Sequence, residues 1–302
     1  MKRDFNQMFP DEREKYEAEG NLKQAQYIML RILKIVSTIL DDNNITYWLI
    51  GGTLLGAIRH KGFIPWDDDM DIAILKADYD KAMKALQENL PDDLFLQTLE
   101  TDKDYIIPWI KVKDNNSYLR EYRPGNYHKG IFVDIFPMQY VIEDEKEVQR
   151  VRNQMNSLHA LYTEIKEPFY KVESFKMFLK NIIRLVIKIC TFPVVLMGKK
   201  RINRMIRNSC DKRSKKVEDK ESGKLDYYIG SLYFTNRVDT ETIFPLKKLP
   251  FEDFEFCVPN DWHRSLVDQF GDYMQMPPES ERIYHNLEII PQLNKNKVNE
   301  RK

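Results

Sequence analysis

Hydrophobic residues recur every three to four positions in residues 21–40, and this period predicts an amphipathic helix that ends before Asp41. Helix-forming runs are also predicted at 53–60 and 76–90, where helix-favouring residues are common. Short apolar runs rich in β-branched and aromatic residues are typical of strands. Such runs lie at 45–50, 69–75, 94–99, 106–112 and 130–136.

The second half of the chain has a different pattern. A charged run without glycine predicts a long helix over residues 143–167. Beyond a basic stretch, strands are predicted at 226–234 and 251–259, and a last helix at 260–270. Strands dominate residues 45–136 and helices flank them, which predicts an α+β (mixed α/β) fold with a small central sheet.

Composition narrows the class of protein. Of the 302 residues, 42% are hydrophobic, which is enough for a packed core, and the 47 basic and 47 acidic residues cancel. Three cysteines and five histidines are too few and too scattered for a disulfide framework or a zinc site. The N-terminal residues lack the apolar core of a signal peptide. We therefore expect a cytoplasmic protein, and the balanced charge gives no indication of nucleic-acid binding.

Glycines and aspartates are concentrated in one short region. Four of the 11 glycines fall within residues 51–62, and four aspartates follow within residues 67–71. Taken separately, these groups are compatible with a tight turn and a solvated acidic loop. Side by side, they favour a binding site for phosphate and metal.

The spacing of these residues suggests the chemistry. Gly51 and Gly52 end a strand and lead into a helix at Thr53, so a phosphate can approach free backbone N–H groups at the helix N-terminus. The two-residue period of a strand places Asp69 and Asp71 on one face, roughly 6.5 Å apart between Cα atoms. Carboxylates this close favour a divalent cation with oxygen ligands.

Asp134 is the candidate third carboxylate, on a strand that we expect two places away in the sheet. It lies among apolar residues, sharing its side of the strand with Phe132 and Phe136. The alternative is a core aspartate whose hydrogen bonds are satisfied within the protein. A nearby metal site favours the functional interpretation, because an isolated buried carboxylate is costly unless it is paired.

Three blocks of sequence resemble the LicD family of phosphocholine-type transferases, to which fukutin-like proteins are distantly related. They are GGTLLGAIRHKGFIPWDDDMDIAIL (51–75), FVDIFP (132–137) and a C-terminal block (249–285) that contains GDYM, Pro277-Pro278, Arg282 and His285. The resemblance spans about residues 28–287. It implies a nucleotidyltransferase-like core that transfers an alcohol phosphate from a CDP donor.

The resemblance also implies roles for individual residues. Asp69, Asp71 and Asp134 would be the catalytic carboxylates that hold Mg²⁺ or Mn²⁺, and Asp134 would also orient or deprotonate the acceptor hydroxyl. The donor phosphates would be bound by Gly51, Gly52, Thr53, Arg59, His60 and Lys61, although a solvated basic turn is an alternative for the last three. Supporting roles fall to Trp66, Asp67, Asp68, Lys111, Arg282 and His285.

Two assignments stay open at this point. Lys111 and Lys113 alternate on a strand, and exposed lysines without a role are the alternative to contact with the donor phosphates. A quaternary ammonium group binds to aromatic faces. The aromatic residues near the matched blocks are Trp48, Trp66, Trp109, Tyr122, Tyr127 and Tyr273, and the sequence does not select among them.

A basic segment lies outside the matched blocks. Residues 171–216 contain 14 Lys and Arg but only two acidic residues. Lys176, Lys180, Arg184 and Lys188 are spaced four apart, which predicts one cationic stripe on a helix. The longest uncharged run, residues 189–198, is too short to span a bilayer. We expect residues 175–207 to contact an anionic membrane surface through this stripe, the alternative being a helix packed on the protein.

Together these observations predict an enzyme with Mg²⁺ as cofactor, peripheral on the inner face of the cell membrane. The expected reaction transfers phosphocholine from CDP-choline to a hydroxyl of a cell-surface or lipid-linked glycan. The alternatives are CDP-ribitol or CDP-glycerol as donor, a nucleotidyltransferase that releases pyrophosphate from an NTP, and a non-catalytic membrane adaptor. The predicted regions are an N-terminal helical segment, a catalytic core, a basic helical region, C-terminal strands with a helix, and a tail (1–44, 45–142, 143–225, 226–290 and 291–302).

Overall fold

The computed structural model describes residues 3–121, 125–166, 169, 171–172, 174–228, 237–282 and 285–293 and confirms the α+β class. Its helices are α1 (Phe5–Met8), α2 (Asn21–Asp42), α3 (Gly51–Arg59), α4 (Tyr79–Asn89), α5 (Glu145–Lys166), α6 (Phe175–Cys190), α7 (Phe192–Val195), α8 (Lys199–Ser214), α9 (Thr240–Ile243) and α10 (Trp262–Phe270). Its strands are β1 (Tyr47–Leu49), β2 (Asp71–Leu75), β3 (Leu94–Gln97), β4 (Ile110–Asp114), β5 (Tyr118–Glu121), β6 (Phe132–Tyr140), β7 (Lys224–Tyr227), β8 (Val238–Asp239), β9 (Lys247–Phe251), β10 (Phe254–Val258) and β11 (Asn286–Ile290).

The long strand β6 is the centre of the main sheet. One edge of β6 pairs in parallel with β2, and the other pairs antiparallel with β4 and, further along, with β7. Strand β1 extends the sheet beyond β2, and β3 extends it beyond β4. Asp71 lies directly opposite Asp134 in the register of β2 and β6. Our prediction that Asp134 lies two strands away was therefore wrong, because the two strands are adjacent.

The two faces of this sheet have different chemistry. On one face, Ile72 and Ile135 are fully buried in the main core, where helix α2 packs across β4 and β6. Burial of such a side chain contributes about 2 kcal/mol. The other face carries Asp71, Asp134 and Phe136, since alternate residues of a strand share a face. We call this second side of the sheet the site face.

The C-terminal part of the chain contributes further strands and a helix. The predicted strand at 251–259 is the second half of an antiparallel hairpin formed by β9 and β10, and α10 follows it as predicted. Strand β11 pairs with β5, a contact that the hydrophobic pattern does not predict. The strand predicted at 226–234 is β7, which ends at Tyr227, and residues 229–234 lie outside the described residues.

Helices α5 to α8 enclose a second apolar cluster beside the main sheet. It includes Val151 and Met155 of α5 and Ile202 and Ile206 of α8. None of the helices in the described part of the chain is long and apolar enough to cross a membrane.

The orientation of α6 differs from our prediction. The prediction of a membrane-facing cationic stripe on α6 was wrong for two of its four residues. Arg184 is fully buried, and its guanidinium binds the Glu164 carboxylate of α5. Lys188 also faces α5, where its ammonium donates to the carbonyl of Ile165. Lys176 and Lys180 are exposed. Helix α6 thus directs two of its four basic side chains towards the protein.

Candidate active site

The glycine pair begins helix α3, directly after β1. Gly51 has a φ of 57°, which is in the left-handed region that favours glycine. A Cβ atom at Gly51 would lie 3.6 Å from Oδ2 of Asp71, and one at Gly52 would lie 3.0 Å from Oδ2 of Asp67. Gly52 therefore allows the Asp67 carboxylate to approach the N-terminus of α3, and the Asp71 carboxylate lies within van der Waals range of Gly51. Free N–H groups and the helix dipole at this end favour negative charge.

Four aspartates converge in front of this helix. Asp71 opens β2, and its backbone N–H donates to the Thr53 hydroxyl of α3 at 2.8 Å. Asp69 precedes that strand, and its carboxylate shares a hydrogen bond with Asp67. Asp134 comes from the neighbouring strand. The structure thus brings together Asp69, Asp71 and Asp134, as predicted, and adds Asp67, which we had given only a supporting role.

The carboxyl groups of this cluster have pKa values above those of ordinary aspartates. Burial raises the pKa of Asp71 well above its ordinary value, and the charges of Asp69, Asp134 and Asp67 raise it further. Burial and the neighbouring Asp69 raise the pKa of Asp67 to about 8. A divalent cation would compensate the repulsion among these oxygens, which are the ligands that Mg²⁺ prefers.

A different set of ligand atoms also lies close together. One atom each from Asp67, Asp68, Asp69 and His285 falls within 4.8 Å of the others. Asp68 and His285 are poor ligands here. The Asp68 carboxylate already accepts hydrogen bonds from His285 and Asn286. The hydrogen bond to Asp68 raises the pKa of His285 to about 9, although burial opposes this rise. A protonated imidazole cannot coordinate a metal. Asp71 is outside this group, but it lies close enough to Asp67 and Asp69 for their charges to raise its pKa. Asp67, Asp69 and Asp71 are therefore the candidate cation ligands.

Asp68 ties the C-terminal block to the acidic motif. Its side chain is 2% exposed and accepts hydrogen bonds from the backbone N–H groups of His285 and Asn286. The His285 ring lies 3.1 Å from Asp68 and 3.4 Å from Asp69. The charged imidazole therefore offsets part of the negative charge at the edge of the site.

Asp134 is held by two neighbours from β4 and the loop before it. The Trp109 indole N–H donates to Oδ1 at 2.9 Å, and the Lys111 ammonium donates to Oδ2 at 3.0 Å. Lys111 and Lys113 are both buried, so our interpretation of these residues as exposed strand lysines was wrong. Asp134 keeps free lone pairs, because each of its oxygens can accept about two hydrogen bonds.

Several predicted site residues lie elsewhere. Arg59, His60 and Lys61 follow the far end of α3, about 12 Å along the helix from Gly51. The Arg59 guanidinium donates to the carbonyl of Tyr273 at 2.8 Å and to the His60 ring. The structure does not bring these three side chains to the glycine pair. The Arg282 guanidinium lies 4.2 Å from the centre of the Trp66 ring, outside the four aspartates.

An aromatic group on the site face borders the carboxylates. The rings of Trp109 and Phe136 have centroids 4.9 Å apart, and those of Phe136 and Tyr227 are 5.9 Å apart. The pKa of Tyr227 is raised by burial and by the charge of Asp71. The strand period of β6 indicates Phe136, but Tyr227 has no such signal because β7 joins the sheet from a distant part of the chain.

The chain is similar in sequence to known transferases. The family model described as "LicD/FKTN/FKRP, nucleotidyltransferase domain" matches residues 44–179. A lipopolysaccharide cholinephosphotransferase, LicD of Haemophilus influenzae, is 26% identical over 88% of this chain and 96% of its own length. The human and mouse ribitol 5-phosphate transferase FKRP are each 47% identical over 45 residues, which are 15% of this chain and 9% of theirs. Residues 44–179 therefore match the nucleotidyltransferase domain of the LicD family.

Proposed function

We propose that this protein is a Mg²⁺-dependent transferase that moves phosphocholine from CDP-choline to a hydroxyl group of a glycan and releases CMP. The acceptor class is a cell-surface glycan or its lipid-linked precursor, of the teichoic acid, lipopolysaccharide or capsule type. The observation that carries this proposal is the cluster of Asp67, Asp69, Asp71 and Asp134, two of which, Asp67 and Asp71, approach the glycine pair at the start of α3. The similarity to a lipopolysaccharide cholinephosphotransferase along nearly the whole chain supports it.

The reaction is a displacement at phosphorus. The acceptor oxygen forms a bond to the phosphorus that carries choline, the bond from that phosphorus to the CMP oxygen breaks, and CMP leaves with the electron pair. A cation held by Asp67, Asp69 and Asp71 supplies charge neutralisation for the phosphates when it is bound. The backbone N–H groups of Gly51 and Gly52 bind a phosphate oxygen at the N-terminus of α3.

Asp134 accepts the proton of the acceptor hydroxyl in this proposal. Burial raises the pKa of its carboxyl, and Lys111 opposes that rise. A carboxylate with a raised pKa is a stronger base than an ordinary one. The hydrogen bonds from Trp109 and Lys111 fix its orientation, which supports a role in positioning the hydroxyl.

The aromatic group suggests which alcohol the donor carries. Trp109 and Tyr227 are half-buried and flank the buried ring of Phe136 beside Asp71 and Asp134. A quaternary ammonium is attracted to aromatic faces, whereas a polyol such as ribitol or glycerol requires hydrogen-bond partners for each hydroxyl. The group therefore favours choline. CDP-ribitol is the second candidate, since part of the chain is similar to a ribitol 5-phosphate transferase.

We expect the Tyr227→Leu variant to raise the KM for CDP-choline about tenfold, because a cation–π contact contributes about 1–2 kcal/mol. Tyr227→Phe keeps the ring and should behave like the unaltered protein. Tyr140→Leu is the matched control, about 13 Å beyond Phe136 along β6. Steady-state kinetics with CDP-choline and CDP-glycerol measure the effect. An equal rise in KM for both donors would contradict a choline-specific role.

The proposed function is tested by donor binding and by the product released. With Mg²⁺ present, CDP-choline should raise the melting temperature more than CDP-ribitol, CDP-glycerol, CDP-ethanolamine or CTP, because a ligand that binds only the folded state stabilises it. Incubation with CDP-choline and a glycan acceptor should release CMP and attach choline. Release of pyrophosphate from CTP would instead identify a nucleotidyltransferase, and binding of none of these nucleotides would favour a non-catalytic adaptor.

We also propose that the reaction takes place at the inner face of the cell membrane, on a lipid-linked acceptor. The basic segment at residues 171–216 supports this location, because anionic lipids attract clustered lysines and arginines.

A further inference from the structure

Helix α6 exposes its apolar side. Six residues at helical spacing form this surface, which we call the α6 apolar face, and each is between 44% and 74% exposed. They are Phe175, Phe178, Ile182, Ile183, Val186 and Ile189. A surface helix of a globular protein normally turns such a stripe towards the core. Contiguous apolar surface of this kind marks an interaction site.

The side of α6 that faces the protein explains this orientation. Arg184 is fully buried against Glu164, and Lys188 donates to the carbonyl of Ile165 at 3.1 Å. Rotating the helix to bury its apolar side would break the Arg184–Glu164 pair and leave the half-buried Glu164 carboxylate without this partner, which is unfavourable. The apolar face is therefore fixed on the outside by polar contacts on the inside.

The charge around this face indicates what covers it. Residues 174–210 contain nine Lys and Arg and no Asp or Glu. An open pocket of about 480 Å³ at the start of α8 is lined by basic residues, namely Lys103, Lys199, Lys200, Arg201 and Arg204. Lys200, Arg201 and Arg204 are exposed. This combination is complementary to a surface that is apolar inside and anionic outside.

We propose that the α6 apolar face inserts into the interfacial layer of an anionic lipid bilayer, with lipid phosphate groups in the basic pocket before α8. A second copy of this chain is a poorer fit, because two such surfaces would bring like charges together. Exposed basic residues of this region include Lys176, Lys180, Lys200, Arg201 and Arg204. This proposal differs from the sequence-based expectation in which residues contact the membrane. The apolar residues of α6 would enter the bilayer, and the basic residues at the start of α8, rather than the predicted stripe on α6, would bind the lipid phosphates. Vesicle binding does not depend on the proposed transferase activity, so each can fail separately.

The test is flotation of the full chain with two kinds of vesicle. We expect binding to vesicles that contain phosphatidylglycerol to exceed binding to pure phosphatidylcholine by about tenfold or more, since each basic residue near an anionic surface contributes about 1 kcal/mol. Added salt should weaken the binding by screening. Equal binding to both vesicles, or binding to neither, would overturn the proposal.

Two matched variants separate this face from general surface effects. Ile183→Glu should lower binding to the anionic vesicles about tenfold, because it removes an inserted side chain and adds a repelled charge. Met8→Glu makes the same change at an exposed methionine of α1 and should bind normally. Both should melt like the unaltered chain. Sedimentation that shows a dimer dissolved by Ile183→Glu would mean that a second copy covers the face.

Discussion

The Asp71→Asn variant is expected to lose at least about a thousandfold in kcat, with its fold intact. The substitution keeps the shape of the side chain but removes a negative charge from the proposed cation site. The position of Asp71 is fixed, since it lies opposite Asp134 and its backbone N–H donates to the Thr53 hydroxyl. Release of CMP from CDP-choline, measured with saturating Mg²⁺, gives the rate.

Stability provides the second readout for this variant. Burial and three neighbouring carboxylates raise the pKa of Asp71, so the ionised group is destabilising in the absence of a cation. Without Mg²⁺, Asp71→Asn should therefore melt at the same temperature as the unaltered protein or higher. Asp92→Asn changes an exposed aspartate and should affect neither rate nor melting. If Asp71→Asn kept its activity, the assignment of the metal site would be wrong.

Mg²⁺ is expected to stabilise the protein strongly at pH 8 and only weakly at pH 5. The pKa of Asp67 is about 8 in the folded protein and near 3.8 in an unfolded chain, so the folded state holds a proton that the unfolded state releases. The stability from this group is complete below the unfolded pKa and is lost as the pH rises to 8. A bound cation replaces the proton. At pH 8, Mg²⁺ at a hundred times its Kd should raise the melting temperature by about 5 °C.

Melting curves in EDTA and in Mg²⁺, recorded across this pH range, measure the difference. Melting temperatures with and without Mg²⁺ are compared at the same pH, because His285 also makes stability depend on pH. Its pKa is raised to about 9 in the folded protein, so the stability that it contributes falls as the pH rises from 6.5. Asp71→Asn should reduce the Mg²⁺ effect at pH 8. An equal effect of Mg²⁺ at both pH values would count against cation binding by these carboxylates.

The part of the site that lies within one stretch of sequence could be predicted, because the periods of strands and helices depend only on neighbouring residues. The alternation of Asp69 and Asp71, and the glycine pair before a helix, required only neighbouring residues to be interpreted. The burial of Lys111 could not be predicted in this way. A polar residue that alternates on a strand looks exposed until the elements that cover that face are known, and Lys111 lies under Asp134 and against the Phe132 ring.

The orientation of α6 shows the same limit. The four-residue spacing correctly identified a helix with a basic side and an apolar side, but that spacing does not say which side faces the protein. Glu164 decides it, because a carboxylate on α5 pairs with Arg184 and draws the basic side inwards.

The sequence by itself determined the class of fold, the main helices and strands of residues 21–136 except β5, and the group of glycines and aspartates that suggests phosphate and metal chemistry. These follow from residues close together in the chain, where the backbone geometry fixes which side chains share a face. Only the tertiary structure decided that Asp134 faces Asp71, that Asp68 binds His285 across 217 residues, and that α6 turns its apolar side outwards. Each of these depends on which distant groups satisfy a buried charge, and no local period carries that information.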